Sequence, residues 1–376
     1  FTGDAGGGES NTRRYIIEND LLDAIIQLPN NLFYNTGITT YIWVLSNNKP
    51  ENRRGKVQLI DASERFSKLR KNLGNKNCEF SPEHIQEIQD AYLNFTAIER
   101  KDDNSLASQI FDNEDFGYYK ATIERPKRLS AQFTAEHIAP LRYDKTLKEP
   151  MLWAYETYGK IVYTDLASIE KDILDWCEKN ELDLNAKKRK QLTSPATWQK
   201  QKDILDAANA LLTAVGSEEY NDFNLFKQDV EAALKTEKMK LSASEKNAIY
   251  SAVSWYDENA EKVLKKKVKL TGDKLEQLLD HLSCTEGQLP DYGYFPSGRA
   301  NEYHLYETEG DLRDFETVPL KDTIHDYFLR EVKPHVGEAW IDLDKTKIGY
   351  EISFNKYFYQ HKPLRSLDAV TQDIID

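Results

Sequence analysis

The chain is short of most residues that announce a chemistry. Its 376 residues include three cysteines, Cys78, Cys177 and Cys284, which lie far apart and have no CxxC partner. That excludes a disulfide scaffold and a structural zinc site of the usual spacing, and it fits a reducing cytoplasm. The seven histidines are scattered without an HExxH pair, so no metal is expected. No apolar run approaches the ~18 residues of a membrane span and no signal peptide opens the chain, so no membrane partner is expected. Positive charge is in deficit, with 50 Lys+Arg against 63 Asp+Glu and a net charge of -13. A diffuse basic surface wrapped on nucleic acid is therefore not the default picture, and any DNA contact requires a local basic patch. The chain also opens on Phe1 with no initiator methionine, which suggests a piece of a longer protein.

What is present suffices for packed cores. Hydrophobic residues make up 40% and aromatics 11%, and the length predicts two or three domains. Residues 1–129 hold 17 Lys+Arg against 19 Asp+Glu, so they are close to neutral and the acidity lies behind them.

The first stretch, 1–129, reads as α/β. Ser10 is placed to cap a helix over about 12–19, with Ile16 and Ile17 inward. LDAIIQL (22–28) is an apolar run of buried-strand type, ITTYIWVL (38–45) is the clearest strand, and VQLIDA (57–62) is a third. Ser81-Pro82 predicts the start of a helix with Ile85, Ile88, Ala91 and Tyr92 on one face. FGYYKATIERPKRL (116–129) reads as a closing strand. The second stretch, 130–286, reads as helical. Leu166, Ile169, Ile173 and Trp176 keep helical spacing, as do Ile204 to Leu212, Phe226 to Leu234, and Ile249, Val253 and Tyr256. The third, 287–376, opens on the breaker GQLPDYGYFP. A hairpin or loop pair over 303–320 and a helix around 321–332 come next. Short strands at 339–341 and 348–354 and a helix from about Ser366 complete it.

Several local patterns invite a chemistry. The opening Gly3-Asp4-Ala5-Gly6-Gly7-Gly8 lacks the GK[ST] ending of a phosphate loop and reads as a flexible loop. Asp342, Asp344 and Glu351 near Lys345 fail the calcium-loop spacing and read as a solvated turn between strands. Lys187–Lys190 and Lys265–Lys267 read as solvated helix faces. The stretch QLPNNLFYNTGITTYIWVL (27–45) is the unusual one. A strand ends, a polar turn follows, and an aromatic pair, Phe33-Tyr34, precedes Gly37 and the next strand. An aromatic on such a loop either stacks on a planar ligand or extruded base, or plugs the core beneath the turn.

At these residues a family resemblance enters. FTGDAGGGESNTRRYIIENDLLDAIIQLPNNLFYNTGITTYIWVLSN (1–47) strongly resembles the modification subunits of type I restriction–modification systems, adenine-N6 DNA methyltransferases that use S-adenosylmethionine. The resemblance continues through GKVQLIDASERF (55–66) and FGYYKATIERPKRL. It returns in LRDFETVPL (312–320), REVKPHVGEAWID (330–342) and KIGYEISFNKYFY (347–359).

The resemblance implies the C-terminal part of a Rossmann-like class I methyltransferase sheet in 1–129, then a mainly helical C-terminal domain. The family's methyl-donor loop, of the type DPACGTGG, and its Asn-Pro-Pro-aromatic motif do not occur here, and no two prolines are adjacent. Both precede this segment in the family. The chain is therefore expected to begin just after the fifth sheet strand, to end inside a helix, and to be inactive alone, with S-adenosylmethionine bound by the preceding half.

The resemblance aligns Phe33 with the aromatic that stacks on the extruded adenine, with Tyr34 as the fallback. Arg53, Arg54, Lys56, Lys68, Arg70 and Lys71 are candidate DNA-backbone contacts. Implied partners are the specificity subunit, a second modification subunit, the restriction subunit and DNA in the assembled complex. The stretch 340–359 is either a docking surface or strand core. The rival expectation is a non-catalytic helical module that docks the specificity subunit.

Overall fold

The structure, a computed structural model, describes residues 3–102 and 104–359. These fall into two compact units. The first comprises the chain up to Ile123, Asp314–Gly337 and the chain from Ile341; the second is Glu124–Arg313 with Glu338–Trp340.

The first unit is built on a mixed sheet. Helix α1 (Gly8–Glu18) leads into β1 (Leu22–Gln27), followed by β2 (Tyr41–Leu45), β3 (Lys56–Asp61), β4 (Ser67–Leu73), β5 (Lys76–Glu79), α2 (Pro82–Leu93), β6 (Ala107–Asp112) and β7 (Gly117–Glu124). The main sheet has the order β2-β1-β3-β6. β1 and β3 run parallel, and β2 and β6 are antiparallel to their neighbours. A register shift between Leu22 and Ala24 puts Leu22 and Ile25 into one core with Ile17, Val57 and Leu59. Ile26, Leu28, Ile60 and Ala62 pack with Ala91 of α2 in a second core. Helices thus cover both faces of a sheet whose central strands β1 and β3 are buried almost throughout, the α/β arrangement expected for 1–129.

Local expectations fared unevenly here. Ser81 caps α2, with His84 completing a capping box. Ile85 is exposed, so the apolar stripe of α2 is narrower than the sequence suggested. Ser10 is not a cap. Gly7 takes that position, and the buried Ser10 hydroxyl accepts from the Tyr350 N–H at 3.0 Å. The strand that closes the main sheet is β6. β7 instead sits between two later strands.

The second unit is mainly helical and contains small sheets. Its elements are β8 (Leu129–Ala131), α3 (Ala135–Ile138), α4 (Lys148–Tyr158), α5 (Ile161–Thr164), α6 (Glu170–Lys179), α7 (Ala186–Leu192), α8 (Pro195–Val215), α9 (Phe223–Thr236), α10 (Ala243–Val253), β9 (Ser254–Tyr256), β10 (Leu264–Lys269), α11 (Asp273–Leu282), β11 (Phe295–Pro296) and β12 (Glu302–Tyr306). The 21-residue α8 is its spine. Trp198 near its start belongs to a core with Met151, Val162, Ile173 and Leu192. Ile204, Ala208 and Leu211 farther along join a second core with Phe226, Val230, Ile249 and Val253. Two corrections belong here. Tyr256 lies on β9, which pairs with β8, rather than on a helix. Lys265–Lys267 lie on β10, the edge strand of the sheet β10-β12-β11, and not on a helix face.

The chain then returns to the first unit. β13 (Asp314–Pro319) and β14 (Trp340–Tyr350) flank β7 in the order β13-β7-β14. Of the hairpin or loop pair expected over 303–320, the hairpin does not form, since β12 pairs with β10 and β11 while β13 pairs with β7. Between β13 and β14 the expected helix is a short one, α12 (Ile324–Tyr327), continued by a π-helical turn, Phe328–Val332. The two short strands expected at 339–341 and 348–354 are one strand, β14. Asp342 and Asp344 lie on it rather than in a turn, with Asp342 paired to Lys345 at 2.7 Å. α13 (Phe354–Phe358) ends the described chain, and the helix expected from Ser366 lies outside the described residues.

Candidate functional site

β1 and β3 run parallel and end at Gln27 and Asp61. Ligands of open α/β sheets bind outside the carboxyl ends of such strands. A cavity of about 540 Å³ lies there. Its lining includes Gln27, Asn30, Asn31, Asp61, Arg100 and Phe358, so amide groups face it beside an aromatic wall. Asp61 is buried and meets the largely covered Arg100 side chain at 2.5 Å.

The loop from β1 to β2 rises from the same edge. Its base is closed by Leu28 N–H donating to Thr40 and by the Thr39 hydroxyl donating to Asn30 Oδ1 at 2.7 Å. Asn31 holds a left-handed φ of 58°, a conformation Asn tolerates better than most residues, and it reverses the chain. Phe33 and Thr36 form an isolated bridge across the tip. Phe33 is 43% exposed and Tyr34 64%, so neither ring plugs a core.

The hairpin of β4 and β5 braces this loop. Asn75 N–H donates to the Tyr34 carbonyl, and Asn77 N–H to the Asn31 carbonyl, both at 3.0 Å. Asn31 Nδ2 donates to the Asn75 carbonyl at 2.9 Å and Lys76 Nζ to the Leu32 carbonyl at 3.2 Å. The Cys78 thiol donates to the Asn30 carbonyl, and burial pushes that thiol's pKa up, keeping it a donor rather than a nucleophile. The Lys76 ammonium also lies 5.8 Å from the centre of the Tyr34 ring. Neither the hairpin nor this bracing was anticipated. The Gly74-Asn75 pair flanked by strand-length segments was the available signal.

The basic candidates separate. Arg53 is a correction: it is 6% exposed, paired with buried Asp23, bonded to the Tyr92 carbonyl and flanked by the Tyr92 and Phe95 rings. A guanidinium so enclosed has no open face for a phosphate. Lys56 is bound to Asp112 at 2.9 Å, and Lys321 neutralises the same carboxylate from another side. Arg54 is exposed. Lys68, Arg70 and Lys71 are exposed on β4 and form no ion pair among the described residues.

The Gly-rich opening is not a free loop. Gly7 N–H bonds Asp4 in a turn that starts α1, and the carboxylates of Asp4 and Glu9 sit at that helix start. A phosphate there would meet the Glu9 carboxylate, beside Asp4, which is already paired with Lys120 at 2.6 Å. Among the described residues no group of three or more His, Cys, Asp or Glu side chains could hold a metal ion. No helix among them is long and apolar enough to cross a membrane.

Comparison with known proteins bears on the same segment. Residues 4–131 match the family described as N-6 DNA Methylase. The type I restriction enzyme MjaVII methylase subunit of Methanocaldococcus jannaschii is 42% identical over 94 residues, covering 25% of this chain and 16% of that protein. The MjaVIII methylase subunit of the same organism is 36% identical over 94 residues, with the same coverage. The type I restriction enzyme MpnII methylase subunit of Mycoplasma pneumoniae is 37% identical over 86 residues, 23% of this chain and 14% of that protein. The matches thus span about one sixth of these relatives. The matched segment contains β1 to β8, and with them the braced loop, the hairpin and the cavity-lining residues from Gln27 to Arg100.

Proposed function

We propose that this chain is the C-terminal part of the modification subunit of a type I restriction–modification enzyme, which transfers a methyl group from S-adenosylmethionine to N6 of adenine in DNA. The observation that carries the reading is the exposed Phe33-Tyr34 pair on a braced loop at the carboxyl edge of a family-matched sheet. Adenine N6 is unreachable inside a duplex, so the base must be extruded and held between flat apolar surfaces. Phe33 supplies one such surface, with Tyr34 beside it. Lys68, Arg70 and Lys71 on β4, and Arg54, meet the DNA backbone.

S-adenosylmethionine supplies the methyl group when bound, and the residues of this chain do not form its cradle. The one Gly-rich segment is closed by its own turn and carries Asp4 and Glu9. The cofactor loop and the Asn-Pro-Pro-aromatic motif are contributed from outside these residues, by the rest of a Rossmann-like sheet. The open edge of β2 supports this: β2 has one partner among the described strands, and Ile42 and Leu45 on it are 47% and 55% exposed. An exposed apolar edge of this kind is a site for further strand pairing. The helical second unit docks the specificity subunit, and the assembled cytoplasmic complex includes a second modification subunit and the restriction subunit.

Two measurements test the reading. The chain alone should bind no S-adenosylmethionine by calorimetry and should transfer no labelled methyl group to DNA. Added to a segment carrying the cofactor loop and the Asn-Pro-Pro-aromatic motif, it should restore transfer. Capture of the specificity subunit without restored transfer favours a docking module with no chemistry. In the intact enzyme Phe33→Ala should lower methylation and weaken capture of an extruded adenine; wild-type turnover in that variant refutes the stacking role.

A further inference from the structure

The β4–β5 hairpin does not stand as a structure of its own. It has two strands and no third neighbour among the described strands, and Cys78 is the one buried residue on them. Two-stranded hairpins are marginal in water. What holds it is the loop. Four hydrogen bonds join Asn31, Leu32 and Tyr34 to Asn75, Lys76 and Asn77, and the Cys78 thiol adds a fifth contact at Asn30. The loop in turn has few bonds of its own beyond the closure at its base and the Phe33–Thr36 bridge. Each element supplies what the other lacks. The contact is also close-fitting: a Cβ built on Gly74, whose φ is +64°, would lie 2.7 Å from the Tyr34 carbonyl oxygen. Meanwhile β4 turns Lys68, Arg70 and Lys71 to solvent.

We infer that the hairpin is the positioning element for base capture. DNA phosphates bound on β4 hold the hairpin, and the bonds through Asn31, Asn75, Lys76 and Asn77 pass that order to Phe33 and Tyr34. The stacking rings are therefore fixed when the backbone is gripped, and by linkage a stacked base strengthens the grip. Asn31 and Lys76 are positioning residues. The inference rests on the reading of Phe33 as a base-stacking residue.

The test uses the intact enzyme with its specificity subunit and a duplex carrying 2-aminopurine at the target adenine, whose fluorescence rises on extrusion. Asn31→Gly keeps the left-handed backbone and removes the amide bond to Asn75. Lys76→Met keeps the stem and removes the donor to Leu32. Each should lower the extrusion signal and single-turnover methylation about five- to tenfold, the loss of one hydrogen bond of ordinary strength. The salt dependence of DNA affinity should not change. Lys68→Ala with Arg70→Ala should flatten the plot of log affinity against log salt by roughly two, one for each lost phosphate contact. It should also lower the extrusion signal at saturating DNA. Full extrusion in both Asn31→Gly and Lys76→Met, or in the double charge variant at saturation, overturns the coupling. The two positioning variants act at separate contacts, so misfolding of one leaves the other to decide. Phe33→Ala separates the failures. A full signal there refutes the stacking reading itself, whereas a lost signal there with full signals in the positioning variants refutes the hairpin alone.

Discussion

The Arg53 guanidinium lies 3.3 Å from the Asp23 carboxylate, and both side chains are buried at the opening of the main sheet. Tyr92 OH donates to the same carboxylate at 2.6 Å, and burial together with that bond raises the phenol's pKa. The Tyr92 and Phe95 rings cover the guanidinium at 4.5 and 4.3 Å. Tyr92 thus ties α2 to β1, over a charge pair enclosed in aromatic rings. Removing one partner strands the other charge, at a cost of about 3–5 kcal/mol. Arg53→Ala and Asp23→Asn should each lower the denaturation midpoint by comparable amounts. Retained stability in either would show that the pair is open to water.

A second pair gives a pH dependence. Lys49 is buried and its ammonium meets Asp20 at 2.6 Å, while Gly55 N–H and Asn113 Nδ2 donate to the same carboxylate. Burial pulls the Asp20 pKa upward, but these donors outweigh it and hold the pKa below the ordinary value. A carboxylate depressed in the folded state stabilises the protein fully above its unfolded pKa of about 3.9. That stability is lost as pH falls through the lower folded value. Acid denaturation should therefore steepen below about pH 4. Asp20→Asn, which keeps the left-handed backbone at φ 54°, should be less stable at neutral pH and should lose part of the acid slope. Titration of stability from pH 7 to 2 in both proteins checks it.

Gly74→Ala should loosen the hairpin. It forces a side chain onto a positive φ and against a carbonyl, at about 1–3 kcal/mol. Limited proteolysis should then cut within 67–79 faster than in the wild type, while the global unfolding midpoint moves little. Equal cutting rates would show that the turn relaxes without cost.

In the second unit Trp198 is fully buried and its indole N–H donates to the Leu192 carbonyl at 2.8 Å. Trp198→Ala empties the centre of one core and orphans that carbonyl, for about 3–5 kcal/mol. The expected outcome is early melting of the helices from α4 to α7, seen as faster amide exchange there than along Ile204–Leu211 of α8. Uniform exchange across α8 would show that its two cores unfold together.

The sequence was legible where a residue's neighbours are close along the chain. The apolar runs of β1 and β3, the Ser81-Pro82 start of α2 and the spacing of α8 and α9 all depend on local pattern. β4 and β5 were not legible, because nearly every position on them is polar or exposed and no alternation marks a strand. Arg53 was misjudged for a related reason. Its neighbours Arg54 and Lys56 suggest a basic patch, whereas its burial is decided by Tyr92 and Phe95, at and just beyond the end of α2 some forty residues along the chain. Phe33 and Tyr34, conspicuous in the sequence as an aromatic pair in a polar turn, are exposed on the loop. Their bracing by Asn75, Lys76 and Asn77 crosses more than forty residues, and no short-range signal carries it.

β7 has both of its partners far ahead in the chain. It ends at Glu124, β13 begins at Asp314, and β14 follows at Trp340. On a ribosome adding about 5–20 residues per second, β7 waits roughly ten to forty seconds before its first neighbour is made. During that time the whole intervening second unit can fold while β7 keeps both edges bare. β13 and β14 are therefore what completes the sheet around β7, and a chain stalled or cut before them would expose β7 as a sticky edge.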